Sequence, residues 1–191
     1  MALTFLSVFA AANMALAQQN ASITTVEFEA QVVLVADPSG CLCARINRGF
    51  MIRGTYTYDP TVADSNPDIT TGEYWFQDPS LGITLNIGDG KNETTTGTDP
   101  KSTNFVIGLM DGPGSDHFIL RSDQNVALPC GTAVDRISLQ LDDDTGAALT
   151  DTTLISPDLT AFQSARLTLL SSNTACSYLI RADVTSVERV N

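Results

Sequence analysis

Apolar and polar residues exchange places one by one through most of this chain. That period of two belongs to β-strands with one buried face. In Val26-Glu27-Phe28-Glu29-Ala30-Gln31-Val32 the alternation is unbroken. Phe50, Ile52, Tyr56 and Tyr58 share one face of the next run, with Arg53, Thr55 and Thr57 on the other. Ile83-Thr84-Leu85-Asn86-Ile87, Ile137-Ser138-Leu139-Gln140-Leu141, Leu167-Thr168-Leu169 and Tyr178 through Val184 repeat the pattern. Phe105 to Met110 and Phe118 to Leu120 are more uniformly apolar, which predicts central strands.

Turn-forming clusters punctuate these runs: Asp37-Pro38-Ser39-Gly40, Asp64 to Asp68, Gly88-Asp89-Gly90, Asp111 to Gly114 and Asp142 to Gly146. The polar, Thr-rich stretch from Asn92 to Thr103 reads as a long surface loop or an irregular edge. Pro157 to Phe162 invites one short helical turn. Together these features predict an all-β fold, an antiparallel β-sandwich with jelly-roll character. No internal repeat or linker divides it.

The first seventeen residues carry no charged side chain and end in Ala15-Leu16-Ala17. Small residues at −3 and −1 after an apolar run predict a secretory signal, residues 1–17, cut before Gln18. The residue directly after that point is Gln18, not the cysteine that would carry a lipid. The remainder, residues 18–191, is long enough for one domain with a full core. No second long apolar run exists in it, so the mature chain is expected to be free of the membrane, secreted or extracellular, or held in a periplasm.

Ten Lys and Arg oppose 22 Asp and Glu, a formal charge of −12. That balance repels phosphate backbones and argues against a nucleic-acid partner. The basic residues are scattered along the chain and build no contiguous patch.

An oxidising compartment makes Cys41, Cys43, Cys130 and Cys176 candidates for two disulfides. Zinc ligation is the alternative, but the spacing fits no common finger. Neighbours two apart bridge poorly, so Cys41 and Cys43 are each expected to reach one of Cys130 and Cys176.

Asp64-x-Asn66-x-Asp68 sets three oxygen side chains at alternating positions, as calcium loops do, with Thr70 and Glu73 nearby. Ile69 stands where such loops carry Gly, and Trp75 where they carry a bidentate Glu. Calcium is thus the one candidate cofactor, with a solvated turn as the plainer reading. Asp142-Asp143-Asp144 is a second acidic cluster.

Alternation through Tyr74-Trp75-Phe76 puts Tyr74 and Phe76 on one face and Trp75 on the other. If the pair packs inward, the chain's one tryptophan is exposed and suited to stack on a sugar ring.

No catalytic residue is predicted. His117 is the single histidine, and consecutive Ser115-Asp116-His117 cannot form a relay. Nucleophile elbows and phosphate-cradling glycine loops are absent from the sequence.

Gly49-Phe50-Met51-Ile52-Arg53-Gly54-Thr55-Tyr56-Thr57-Tyr58-Asp59 resembles the G-x-F-x-G-x-Y-x-Y-D stretch of exported PEP-CTERM-type bacterial proteins. Asp64 to Asp68 with Gly72 and Tyr74, Asp116 to Leu120, Leu139 to Gly146, and Pro157-Asp158-Leu159 with Phe162 are similar to the same proteins. The resemblance implies an extracellular β-sandwich body and carries over no catalytic residue. The Pro-Glu-Pro motif, membrane helix and basic tail of sorted members are not found before Asn191.

The expectation is therefore a non-catalytic module, structural or matrix-associated, whose partners are extracellular polysaccharide or surface proteins. A calcium-dependent glycan-binding module using Trp75 and the Asp64 to Asp68 loop is the alternative.

Overall fold

The computed structural model describes residues 23–42, 46–154 and 158–190. The expected signal, Cys43 and Pro157 lie outside the described residues. The described residues contain ten strands: β1 (Thr24–Ala36), β2 (Met51–Tyr58), β3 (Thr71–Phe76), β4 (Gly82–Gly88), β5 (Glu93–Gly97), β6 (Phe105–Gly112), β7 (Ser115–Ser122), β8 (Arg136–Asp143), β9 (Ser164–Asn173) and β10 (Cys176–Arg189). All join one sheet in the order β3-β6-β7-β8-β9-β10-β1-β2-β4-β5, every pairing antiparallel.

The alternation read from the sequence becomes alternation of burial. Ile52, Tyr56 and Tyr58 of β2 are at most 1% exposed, while Arg53 faces solvent. Ile83, Leu85 and Ile87 of β4 and Ile137, Leu139 and Leu141 of β8 do the same. One face of each strand thus feeds a single core, the main source of stability in such a sheet.

The sheet curls until distant strands meet. Tyr56 of β2 and Phe118 of β7 lie five places apart in strand order, yet their ring centroids are 6.3 Å apart. Tyr58 of β2 likewise packs against Phe76 of β3, centroids 6.4 Å apart. Such aromatic pairs contribute about 0.5–1.5 kcal/mol beyond the area they bury.

Both free edges are blunted, as edge strands must be to avoid adding foreign strands. On β5, Val126 N donates to Gly97 O (2.8 Å) and Thr96 Oγ1 to Val126 O (2.6 Å). On β3, Ser65 N and Oγ donate to Glu73 O at 2.9 and 2.8 Å. Asp64 Oδ1 accepts the Glu73 amide at 2.9 Å.

Two expectations need adjustment, and a third resolves between its alternatives. β6, expected to be central, is second from an edge. Its outward residue Val106, 7% exposed, sits between Trp75 and Arg121 in the cross-strand register, which accounts for its apolar character. Of the two readings of Asn92 to Thr103, a surface loop or an irregular edge, the fold contains an edge: the stretch contributes the edge strand β5, with Thr94 and Thr96 buried.

The helical turn expected over residues 157–162 is instead a turn closed by Ala161 N on Asp158 O (3.1 Å). Asp158 Oδ1 takes the amide and hydroxyl of Thr160, a local bond that competes with helix. The one helical piece among the described residues is a 3-10 turn at Pro129–Gly131.

Cys41, just past β1, and Cys176, opening β10, form a disulfide with Cα atoms 5.7 Å apart. Of the two expected bridges this is the one within the described residues. A bridge of this kind fits a non-reducing compartment. No helix among the described residues is long and apolar enough to cross a membrane.

Candidate functional site

Trp75 stands outward on edge strand β3, 41% exposed, while Tyr74 and Phe76 are 4% and 2% exposed. The alternation expected through these three residues is thus what the fold contains. Tyr74 also anchors the strand from below, its hydroxyl donating to Thr152 O at 2.5 Å. Burial raises its pKa, helped by the carboxylates of Asp64 and Asp151.

Sheet register carries the outward face onward from the indole. Trp75 pairs with Val106, Val106 with Arg121, Arg121 with Ser138, Ser138 with Thr168, and Thr168 with Arg181. The next row runs Glu73, Gly108, Ile119, Gln140, Arg166, Asp183. Gly108 leaves a dip there, since a Cβ at this position would meet nothing nearer than 3.9 Å. Beside it Met110 is 44% exposed.

Four of the chain's ten basic residues, Arg121, Arg136, Arg166 and Arg181, occupy this face. Asp123 forms ion pairs with two of them, accepting a hydrogen bond from Arg136 Nε at 2.8 Å and lying 2.8 Å from Arg121 Nε. Arg166 and Arg181 make no ion pair among the described residues. These arginines come from four strands and are far apart in sequence. Only the register assembles them, and that is why residue-by-residue reading found no basic patch.

On the same face His117 Nδ1 lies 2.7 Å from Asp142 Oδ1, which also accepts Gln140 Nε2 at 2.7 Å. Asp116, by contrast, points inward and is fully buried. Its Oδ2 accepts Leu149 N at 2.7 Å and its Oδ1 accepts Gly112 N at 3.3 Å. Ser115-Asp116-His117 therefore faces two ways, as a strand requires.

The three side chains of the candidate calcium loop are engaged along the backbone. Asp64 Oδ1 accepts Asn66 N (2.8 Å) as well as Glu73 N, and Asn66 Oδ1 accepts Asp68 N (3.0 Å). Asp68 Oδ1 accepts the amide and hydroxyl of Thr70, both at 2.9 Å. The Thr70 amide, foremost, and then its hydroxyl hold the Asp68 carboxyl below its ordinary pKa. Each oxygen thus serves an Asx turn, the local bond that short polar side chains offer. No group of three acidic, histidine or cysteine side chains placed to hold a metal occurs among the described residues.

The same device recurs as Asp-x-Ser/Thr. Asp59, Asp78, Asp143, Asp151 and Asp158 each take the amide and hydroxyl of the residue two ahead. The spacing was present in the sequence and accounts for much of the acidity in turns. The second acidic cluster follows it: Asp143, 1% exposed, also accepts Ala147 N (2.7 Å) and Ala148 N (3.0 Å). These bonds, Ala147 foremost and then the Thr145 hydroxyl, bring its pKa down to about 2.

Residues 49–59 have structural roles. A Cβ on Gly54 would collide with the Phe28 ring, so glycine there seats the ring against the sheet. Tyr56 and Tyr58 fill the core, and Asp59 caps Thr61.

Concavities lie elsewhere. One of about 720 Å³ sits between Asn47, Phe50 and the turn Asp89 to Thr94. Another, about 530 Å³, is walled by Val62, Tyr74 and Leu154. A third, about 370 Å³, lies over Gly54. His117 lines none of these three. The chemistry that the described face offers is contact: stacking, guanidinium donation and hydroxyl hydrogen bonding. No family model, curated protein or solved structure matches the chain.

Proposed function

We propose that this protein is a non-catalytic interaction module acting outside the reducing cytoplasm, secreted or periplasmic, with a structural or matrix-associated role. The observation that carries the reading is the outward Trp75, a large aromatic left 41% exposed on an edge strand whose neighbours Tyr74 and Phe76 are buried. Exposed aromatics with convergent polar neighbours favour contact with a partner. The Cys41–Cys176 bridge supports the compartment. The resemblance of residues 49–59 to exported PEP-CTERM-type proteins supports it too, and with it a β-sandwich, jelly-roll-like description of the curled sheet.

The test is adsorption of the disulfide-intact protein to its producing cells and to their shed extracellular polymer. Trp75→Ala is expected to lose most of the adsorption. Equal adsorption of variant and wild type overturns the assignment.

Glycan binding is the second reading, favoured by the indole's outward position. Its calcium-dependent form would bring the ion to carboxylates whose Oδ1 atoms already accept backbone amides, Asp64 from Glu73 and Asp68 from Thr70. Glycan-array binding measured in calcium and in chelator separates the two forms.

A further inference from the structure

We propose, resting on the contact reading above, that the outer face of β3-β6-β7-β8-β9-β10 is a binding platform for an anionic polysaccharide. Trp75 stacks on a sugar ring, and Arg166 and Arg181 engage its carboxylates, with Arg121, already paired to Asp123, between them and the indole.

The chemistry lies in one cross-strand row. Indole, guanidinium, two hydroxyls and a second guanidinium follow one another as Trp75, Arg121, Ser138, Thr168 and Arg181, with Val106 low between the first two. Strands lie about 4.8 Å apart, so Trp75 and Arg121 are about 10 Å apart and Arg121 and Arg181 about 14 Å. A polymer lying across the strands meets a new functional group at each strand it passes, a spacing close to one pyranose unit.

Charge selects the ligand class. The chain carries −12 overall, yet this row contains no carboxylate of its own, Asp123 standing beside Arg121 and Asp183 opposite Arg166 in the adjoining row. Arg166, exposed in the adjoining row, and Arg181 have no ion-pair partner among the described residues. Arg181 Nε is buried without a hydrogen-bond partner, a state that a ligand carboxylate near the guanidinium compensates. Planar guanidinium forks match carboxylates bidentately. The indole and the Gly108 dip suit a ring with an apolar face, which an acidic peptide lacks as a regular feature.

Affinity electrophoresis of the disulfide-intact protein through gels containing a polyuronate, its carboxyl-reduced neutral counterpart, or polyglutamate tests the proposal. Retardation is expected with the polyuronate alone, weakening as salt is raised. Trp75→Ala is expected to weaken it by about tenfold or less, the range that an aromatic contact supplies. Arg166→Gln and Arg181→Gln are each expected to weaken it several-fold. Arg53→Gln, on the outward face of β2, is expected to leave it unchanged. Circular dichroism confirms folding, and exposed Arg166 keeps the test valid if the half-buried Arg181 variant unfolds.

Equal retardation by polyglutamate, or by the polyuronate with Trp75→Ala, reduces the effect to bulk charge and overturns the proposal. Binding to the neutral polymer through Trp75 overturns the anionic assignment while the contact reading stands. No retardation by any of the three polymers overturns the polysaccharide platform, and cell adsorption then decides the contact reading separately.

Discussion

Asp64 Oδ1 accepts the amide of Glu73 at 2.9 Å, tying the loop before β3 to the outward-facing backbone of that strand. With Ser65 donating to Glu73 O, both backbone groups of Glu73 on the free edge are satisfied. A sequence pattern that suggests a cation is therefore engaged in closing a sheet edge. Asp64→Ala removes two charge-assisted bonds, to Asn66 N and Glu73 N. It should destabilise the fold by about 1–3 kcal/mol and increase self-association. Urea unfolding and light scattering measure the two effects. Millimolar calcium should leave the wild-type melting temperature where chelator leaves it.

Acid should unfold this protein through its turns. Asp68, Asp78, Asp89, Asp135, Asp151 and Asp158 are all held below the ordinary carboxyl range by amide or hydroxyl donors, and Asp143 reaches about 2. A carboxyl with a depressed folded-state pKa adds stability above its unfolded value, about 3.9, and loses it as pH falls through the folded one. Stability from these groups should therefore be constant above about pH 5 and decline from about pH 4 toward 2. Asp143→Asn should flatten that decline in denaturant titrations at stepped pH, and leave the neutral-pH transition cooperative.

Gly54 and Phe28 make a second kind of prediction, one about packing. A methyl group at residue 54 meets the Phe28 ring, which is 2% exposed and packed against core residues on both neighbouring strands. Gly54→Ala should cost about 1–3 kcal/mol, the usual range for overpacking a filled site. Phe28→Leu in that background should recover part of the loss. A double-mutant cycle by chemical denaturation reads the coupling, and strictly additive costs would show that the contact is not the cause.

Trp75 and the arginines show how far sequence reading reaches here. Alternation alone put Trp75 on the face opposite Tyr74 and Phe76, because a strand's faces are fixed by parity, and burial in the fold decides that the Trp75 face is the outer one. The Asp-x-Ser/Thr turns were equally local, and their meaning lay in plain view at Asp59, Asp78 and Asp151. The row joining Trp75 to Arg121 and Arg181 was not legible. It depends on β3 crossing the molecule to pair with β6, and on the register of five successive ladders. A one-residue slip in any ladder would turn an arginine inward. β5 was legible only as a loop or an irregular edge, for another reason: its Thr-rich sequence lacks the apolar alternation that marked the other strands. The buried Thr94 and Thr96 fill the places that aliphatic residues fill elsewhere.

The Cys41–Cys176 bridge spans 135 residues of sequence and ties the end of β1 to the start of β10, neighbours in the sheet. In the chain-entropy account a loop of that length contributes about 5 kcal/mol. Cys41→Ser with Cys176→Ser should therefore lower unfolding stability by several kcal/mol while the folded far-UV spectrum persists. A second bridge is expected between Cys43 and Cys130. Thr132 Oγ1 donates to Cys41 O at 2.6 Å, which ties the segment after Pro129–Gly131 to the turn that follows β1. Cys41 and Cys176 are already committed to each other, so Cys43 has only Cys130 left to meet. The double serine variant reports on this directly. Alkylated without reductant it should gain no mass, and after reduction it should gain two adducts. Two adducts before reduction would mean that Cys43 and Cys130 are free thiols and that a single bridge carries the whole effect.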